Sequence, residues 1–182
     1  CVITEILRTE VKEKGLLYPP DPASPGSCFI GGNIAENSGG PKAVKYGVVR
    51  DYVLNLEVVL PTGEIMWTGA NVLKNSTGYN LTQLIVGSEG TLAVVTKIVL
   101  RLIPLPKYDL LMLAPFRSLE KAGEAVSAIF RAGFTPSALE LVEIDALRIV
   151  SKMVGGTAVP LADDTAAQLI IEVDGNNMDG LM

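Results

Sequence analysis

A glycine- and asparagine-rich stretch near the start of the chain has the composition of a cofactor-binding loop. It runs Cys28-Phe29-Ile30-Gly31-Gly32-Asn33-Ile34-Ala35-Glu36-Asn37-Ser38-Gly39-Gly40. Paired glycines allow positive φ and let the backbone approach a ligand closely, and successive exposed N–H groups bind anions such as a pyrophosphate. Asn33 and Asn37 lie four residues apart, so in a helical turn their amides would face one way and could bond a heteroaromatic ring.

The same residues also fit a purely structural interpretation. A glycine-rich turn in which the asparagine side chains satisfy backbone groups would have this composition, and the residues alone favour neither reading. The pattern is neither G-x-G-x-x-G nor a P-loop. A Rossmann-type NAD site is therefore not supported.

A second stretch places an acidic residue between glycines. Thr77-Gly78-Tyr79-Asn80-Leu81 is followed by Gly87-Ser88-Glu89-Gly90-Thr91-Leu92. The Glu89 carboxylate, at a corner between a short helix and a strand, could accept hydrogen bonds from ribose hydroxyls. It could also bond local backbone N–H groups and stiffen the turn, and the residues taken alone favour that second role.

Composition excludes several classes of function. Because the net charge is −5, a basic surface for binding nucleic acid is not expected. No apolar run is long enough to span a bilayer. The chain has no histidine, which excludes His-based metal sites and Ser-His-Asp triads within it. Its two cysteines, Cys1 and Cys28, form no disulfide framework and fit a reducing, cytoplasmic setting.

Periodicity and capping residues predict the elements that must position these motifs. A long, irregular loop is expected at 24–47, anchored by its apolar residues. The other elements expected in the first part are a helix at 4–14, a short strand at 16–18, strands at 53–60 and 65–68 joined by a turn, a helix at 81–86 capped by Asn80, and a strand at 91–102.

Pro104-Leu105-Pro106 is the candidate domain boundary, because two prolines in three residues cannot continue a central ladder. Separate domains are therefore expected at residues 1–106 and 107–182. The expected elements beyond the boundary are a strand at 110–114, a helix from the cap Ser118 to about 132, a strand at 138–142, a helix at 144–153 and a strand at 168–173. This βαβαβ order predicts an α+β sheet with helices on one face.

In this order the motifs resemble the FAD-linked oxidase family with the vanillyl-alcohol-oxidase type of flavin domain. The branch of glycolate oxidase flavoprotein subunits and bacterial D-lactate dehydrogenases is the most similar. The resemblance continues past the boundary, so it covers nearly the whole chain. The matching residues are Tyr18-Pro19-Pro20-Asp21-Pro22, Ile30 to Gly40, Lys45-Tyr46-Gly47, Gly78-Tyr79-Asn80-Leu81, Gly87 to Leu92 and Thr135-Pro136-Ser137-Ala138-Leu139-Glu140.

The resemblance implies an α+β fold and FAD as cofactor. Residues 1–106 would be the second subdomain of a two-subdomain FAD-binding domain, and 107–182 the start of a ferredoxin-like α+β substrate or cap domain. The first subdomain, with its own glycine-rich pyrophosphate loop, would fall outside the chain. Because the sequence does not begin with Met and stops just after a strand-like run, both ends are interpreted as cut.

The resemblance also implies which residues hold the cofactor. Two positions depart from the family pattern, Ala93 where Gly is frequent and Asn80 where Asp is frequent, and neither removes the assignment. No catalytic base or substrate-carboxylate ligand is assigned within the chain. The implied flavin and pyrophosphate contacts are Pro19, Gly31, Gly32, Asn33, Asn37, Ser38, Gly39 and Gly47, with Glu89, Gly90 and Val94 on the other side.

The implied activity is oxidation of a 2-hydroxy acid, glycolate or D-lactate, by proton removal from the hydroxyl and hydride transfer to flavin N5. Electrons would pass to a partner subunit or a quinone, not to NAD. The expected location is the cytoplasm, with or without peripheral contact to a membrane. Two alternatives remain, a flavin-dependent transferase of the alkyl-ether-lipid synthase kind and a non-catalytic flavin-binding subunit of a complex.

Overall fold

The structure, a computed structural model, describes residues 2–153, 155, 162 and 164–181. Cys1, one of the two cysteines considered above, lies outside these residues. The chain divides into two compact units, Cys1–Leu105 and Pro106–Met182, because most tertiary contacts form within each unit. Each unit has its own three-stranded sheet and its own cluster of buried apolar residues, and the first unit has a two-stranded sheet as well.

The first unit opens with helix α1 (Thr4–Glu13), which buries Thr4 and Val11. Strand β1 (Leu16–Leu17) follows and pairs antiparallel with β5 (Ile103–Pro104). Pro104 therefore belongs to an edge strand of a two-stranded sheet, a position that tolerates a residue with no N–H donor.

The stretch at 24–47, expected to be one long loop, contains two short helices. These are α2 (Ile30–Glu36) and α3 (Ala43–Tyr46). Ile30 and Ile34 are both buried, at 5% and 0% exposure, and they lie four residues apart on one face of α2. Burial of this pair stabilises a helix whose two glycines have low helix propensity, and for that reason the loop prediction is wrong over these residues.

The main sheet of the first unit has the order β3-β2-β4 and is antiparallel throughout. A 3₁₀ helix (Val49–Tyr52) leads into the central strand. Helix α4 (Leu81–Ile85) begins at Asn80, whose Oδ1 accepts a hydrogen bond from the Gln83 N–H at 3.0 Å, and this confirms the predicted cap. The strands are β2 (Val53–Val59), β3 (Ile65–Trp67) and β4 (Val94–Leu100), the last shorter than the predicted 91–102.

The second unit contains the predicted order of alternating strands and helices, with β8 at the centre of an antiparallel sheet, β6-β8-β7. Helix α5 begins at Ser118, whose Oγ accepts from the Lys121 N–H at 3.2 Å. Its Ala122 packs with the buried Leu169 of β8. The elements are β6 (Tyr108–Phe116), α5 (Leu119–Arg131), β7 (Ala138–Glu143), α6 (Ile144–Met153) and β8 (Ala167–Gly175). The fold is α+β.

Candidate functional site

Helix α2 presents two bare glycines on its exposed side. Ile30 and Ile34 face the core, whereas Gly31 and Gly32 are exposed. A Cβ added at either glycine would meet no atom of the described residues within 4 Å. Packing among those residues therefore does not require glycine here, and the missing side chains leave the backbone open to a ligand. The sequence suggests that these glycines are needed for a backbone with positive φ. That expectation is wrong, because both residues are helical and neither has a positive φ.

A side-chain hydrogen bond from Asn33 connects α2 to the first residue of α1. The asparagine is 3% exposed, and its Nδ2 donates to the Thr4 Oγ1 at 2.7 Å. The Cys28 thiol donates to the same hydroxyl at 3.2 Å. A buried polar group is costly unless it is paired, and this small network satisfies the amide nitrogen within the chain.

Asn37 ends α2 in the left-handed conformation, with φ 53° and ψ 50°. Its Oδ1 accepts a hydrogen bond from the backbone N–H of Arg50 at 2.9 Å. The expectation that Asn33 and Asn37 face one way as a pair is therefore wrong. Asn37 lies beyond the last helical residue, and each amide has its own partner inside the unit.

The second motif lies against the carboxyl end of α2. The Gly87 N–H donates to the Ile34 carbonyl at 2.9 Å, and the Glu89 N–H donates to the Ala35 carbonyl at 3.0 Å. The last carbonyls of a helix have no partner inside the helix. The Glu89 N–H supplies one to the Ala35 carbonyl, and the Gly87 N–H is a second donor to the Ile34 carbonyl, which also accepts from the Asn37 N–H at 3.3 Å. The structure thus brings together two glycine-rich motifs that are far apart in sequence.

Glu89 adopts a backbone conformation that is unfavourable for its residue type. Its φ is 51°, and Asn37 is the other non-glycine residue at positive φ in the described part of the chain. The left-handed region costs an ordinary L-residue roughly 1–2 kcal/mol. The side chain is exposed, and its carboxylate has no hydrogen bond or ion pair among the described residues. The local turn-stiffening role considered above is therefore not the one observed.

Three further candidate residues form the connection from α2 to the 3₁₀ helix. The Ser38 N–H donates to the Asn33 carbonyl, and its own carbonyl accepts from the Val49 N–H, both at 3.0 Å. A Cβ at Gly39 would lie 3.6 Å from Val48 Cγ1. Gly47 has φ 78°, and a Cβ there would clash with the Asp51 carboxylate. Backbone conformation and close packing explain glycine at Gly47, whereas a Cβ at Gly39 would make only ordinary van der Waals contact with the described residues.

The remaining candidates differ in exposure. Pro19 is fully buried, so its side chain belongs to the core. Gly90, with φ 74°, is exposed and would have no atom within 4 Å of an added Cβ. Val94 is 64% exposed at the start of β4. The exposed candidates are thus Gly31, Gly32, Glu89, Gly90 and Val94.

Two groups near these motifs were not identified from the sequence. Arg50 contacts both motifs, and no local pattern marks it, since its role depends on tertiary packing. The Tyr18 hydroxyl is fully buried and has no hydrogen-bond partner among the described residues. Burial raises the pKa of Tyr18, so the hydroxyl stays protonated and is unsuited to act as a base.

Comparison with known families identifies both units. Residues 2–69 match the model of the FAD binding domain, and residues 105–180 match the C-terminal domain of FAD linked oxidases. The chain belongs to the FAD-linked oxidases. FAD is therefore its cofactor.

Individual relatives agree with this family. The chain is 44% identical to the glycolate oxidase subunit GlcD of Bacillus subtilis over 96% of its length. It is 40% identical to a D-lactate dehydrogenase of Anaerostipes hadrus over 99% of its length. It spans only 36% and 38% of those two relatives.

A solved structure of alkyldihydroxyacetonephosphate synthase shares the fold. The TM-score is 0.76 over 96% of this chain and 35% of that one, at 23% identity.

Among the described residues, no helix has both the length and the apolar character needed to cross a bilayer.

Proposed function

We propose that this chain is part of an FAD-dependent oxidoreductase that oxidises a small 2-hydroxy acid, glycolate or D-lactate. One observation supports this most directly. The Gly31-Gly32 helix and the Gly87–Gly90 segment are joined by backbone hydrogen bonds at 2.9 and 3.0 Å. They form a single wall with bare backbone and one carboxylate that has no partner among the described residues.

The wall has the chemistry that one side of FAD requires. Exposed glycines let the backbone lie against a flat ring or a phosphate without a side chain between them. The Glu89 carboxylate can accept hydrogen bonds from ribose hydroxyls, which would offset the cost of its backbone conformation. The assigned contacts are the exposed residues Gly31, Gly32, Glu89, Gly90 and Val94, with Pro19, Asn33, Asn37, Ser38, Gly39 and Gly47 shaping the wall behind them.

The chain's own part in the reaction is to bind and orient the cofactor. Bound FAD would supply the hydride acceptor at N5. The wall would fix the plane of the ring and exclude water from its covered side, which lowers the entropic cost of bringing donor and acceptor together. We assign no catalytic base to this chain.

The names of the relatives support the substrate class. Relatives at 40–44% identity are a glycolate oxidase subunit and a D-lactate dehydrogenase. The alkyldihydroxyacetonephosphate synthase structure, at 23% identity, supports the fold and not a transferase activity. The oxidoreductase is therefore favoured over the alkyl-ether-lipid synthase alternative.

We propose that residues 1–106 are the second part of the FAD-binding domain and 107–182 the beginning of the substrate or cap domain. The reduced flavin would pass its electrons to a partner subunit or a quinone. A partner subunit is consistent with the Bacillus subtilis relative, which is named as a subunit of glycolate oxidase. The protein would work in the cytoplasm, with peripheral membrane contact where the acceptor is a quinone.

Oxidation assays on the full-length gene product test this function. Glycolate, D-lactate and L-lactate are each supplied with a dye acceptor, and NAD replaces the dye in a parallel series. Dye reduction with glycolate or D-lactate, and none with NAD, is the expected result. A protein that binds FAD stoichiometrically but reduces no dye with any of these acids would favour the non-catalytic subunit. Ether-lipid synthesis by the same preparation would favour the transferase.

A further inference from the structure

We infer that Arg50 is a positioning residue of the cofactor wall, holding the Asn37 and Gly87–Gly90 segments in the conformation that FAD requires. Arg50 lies in the 3₁₀ helix Val49–Tyr52, outside both glycine-rich motifs. The inference rests on the proposed FAD site and adds to it a residue that none of the sequence motifs marks.

Arg50 bonds to both halves of the wall. Its backbone N–H donates to the Asn37 Oδ1 at 2.9 Å, and its Nη2 donates to the Val86 carbonyl at 3.2 Å. Asn37 ends the Gly31-Gly32 helix, and Val86 immediately precedes Gly87. One residue therefore connects the end of α2 with the start of the segment that carries Glu89.

The packing around this connection is tight. Gly87 has φ 84°, and a Cβ added there would lie 3.1 Å from the Asn37 Cβ and 3.3 Å from the Arg50 Nη2. The guanidinium thus fills the space beside Gly87 as well as bonding to its neighbour. The Arg50 Nε is buried and has no hydrogen-bond partner among the described residues, whereas its Nη2 is bonded to the Val86 carbonyl.

Loss of the guanidinium would act on the cofactor through the backbone. The Val86 carbonyl would lose its charge-assisted donor, and the space beside Gly87 would open. The segment would then be free to leave the carboxyl end of α2, and Glu89 would move with it. A residue that served only the general stability of the unit would change the melting temperature without changing the environment of the bound flavin.

The test compares Arg50→Met, Arg50→Lys and the control Lys97→Met in the full-length gene product. Methionine approximates the length of the side chain but has no donor, whereas lysine keeps a donor for the Val86 carbonyl. Lys97 is a mostly exposed cation on β4, paired with Glu57 at 2.8 Å. The measurements are the FAD dissociation constant, the visible circular dichroism of the bound flavin, and the melting temperature of the apoprotein.

Arg50→Met is expected to raise the FAD dissociation constant by about ten-fold or more and to change the visible dichroism, since about ten-fold corresponds to loss of one such hydrogen bond. Arg50→Lys is expected to stay within about three-fold of wild type, well under the change expected for loss of a hydrogen bond. Lys97→Met should leave both flavin measurements unchanged.

Wild-type FAD affinity and dichroism in Arg50→Met would overturn the inference and leave the proposed function standing. If Arg50→Met does not fold, the lysine variant decides. A changed visible dichroism of the bound flavin in Arg50→Lys then supports the inference, and a wild-type dichroism, with or without a lower melting temperature, overturns it. Failure of the wild-type protein to bind FAD would overturn the proposed function itself, together with this inference.

Discussion

Gly87 donates its backbone N–H to the carbonyl oxygen of Ile34 at 2.9 Å. Ile34 is the fully buried anchor of helix α2, and Gly87 begins the segment that carries Glu89. The bond therefore connects the hydrophobic core to the exposed wall. A helix end that is completed by a distant segment has its position fixed only when the whole unit folds.

Replacing Gly32 with valine should remove FAD binding and leave the fold intact. Gly32 is exposed and helical, and nothing lies within 4 Å of an added Cβ, so the new side chain costs the chain little and occupies the space of the cofactor. Gly123→Val is the matched control, because Gly123 is also an exposed helical glycine with no atom within 4 Å. Flavin content after purification and thermal unfolding followed by far-ultraviolet circular dichroism are the measurements.

The free energy of unfolding of both valine variants should lie within about 1 kcal/mol of the wild-type value, since valine and glycine differ in helix propensity by only a few tenths of a kcal/mol. Only Gly32→Val should be purified without flavin. Equal flavin content in the two variants would remove Gly31 and Gly32 from the site.

Replacing Glu89 with glycine should lower the affinity for FAD without lowering the free energy of unfolding. Glycine accepts φ 51° without the cost borne by glutamate, so the free energy of unfolding should stay equal or rise by up to about 1 kcal/mol. FAD affinity should fall by about ten-fold as the carboxylate is lost. Chemical denaturation of the apoprotein and FAD titration measure the two effects.

Asn37→Gly is the counterpart to Glu89→Gly, because Asn37 also has a positive φ. Its Oδ1 accepts from the Arg50 N–H, so this variant leaves a part-buried donor unpaired and should lose about 1–3 kcal/mol of stability. Destabilisation by Glu89→Gly as large as that by Asn37→Gly would mean that the Glu89 side chain has a structural partner in solution.

Secondary structure that depends on local signals could be predicted from the sequence. The caps at Asn80 and Ser118 confirm this, since each bonds to an N–H three residues ahead. Helix α2 was missed because glycine propensity outweighed the spacing of Ile30 and Ile34, a signal that was present in the sequence. Arg50 could not have been found, because its two partners are brought to it only by tertiary folding.

Lowering the pH should weaken the sheet of the first unit at Glu57. Its carboxylate accepts from the Lys97 Nζ at 2.8 Å and the Thr96 Oγ1 at 2.9 Å, and these bonds lower the pKa of Glu57. A carboxyl whose folded pKa is lowered contributes stability that is complete above its unfolded pKa, about 4.3. That contribution is lost as the pH falls through the folded value.

Lys97→Met should raise the pKa of Glu57 towards its ordinary value and reduce this part of the acid sensitivity. Lys12→Met, on α1, is the control and should leave the pKa of Glu57 unchanged. Carboxyl carbon shifts in an NMR titration report the value directly. An unchanged Glu57 titration in Lys97→Met would mean that the ion pair does not persist in solution.

The 182-residue chain alone should bind FAD far more weakly than the full-length gene product. Gly31, Gly32, Glu89 and Val94 are exposed on the wall, and a dinucleotide covered on one side loses much of its buried area. The family resemblance assigns the pyrophosphate cradle to a subdomain outside this chain, so the anion-binding backbone N–H groups of that cradle would be missing as well. Purified chain should be colourless, and dialysis should remove added FAD. Stoichiometric flavin that stays through dialysis would show that this wall is sufficient by itself, and the two-subdomain interpretation of the site would have to be abandoned.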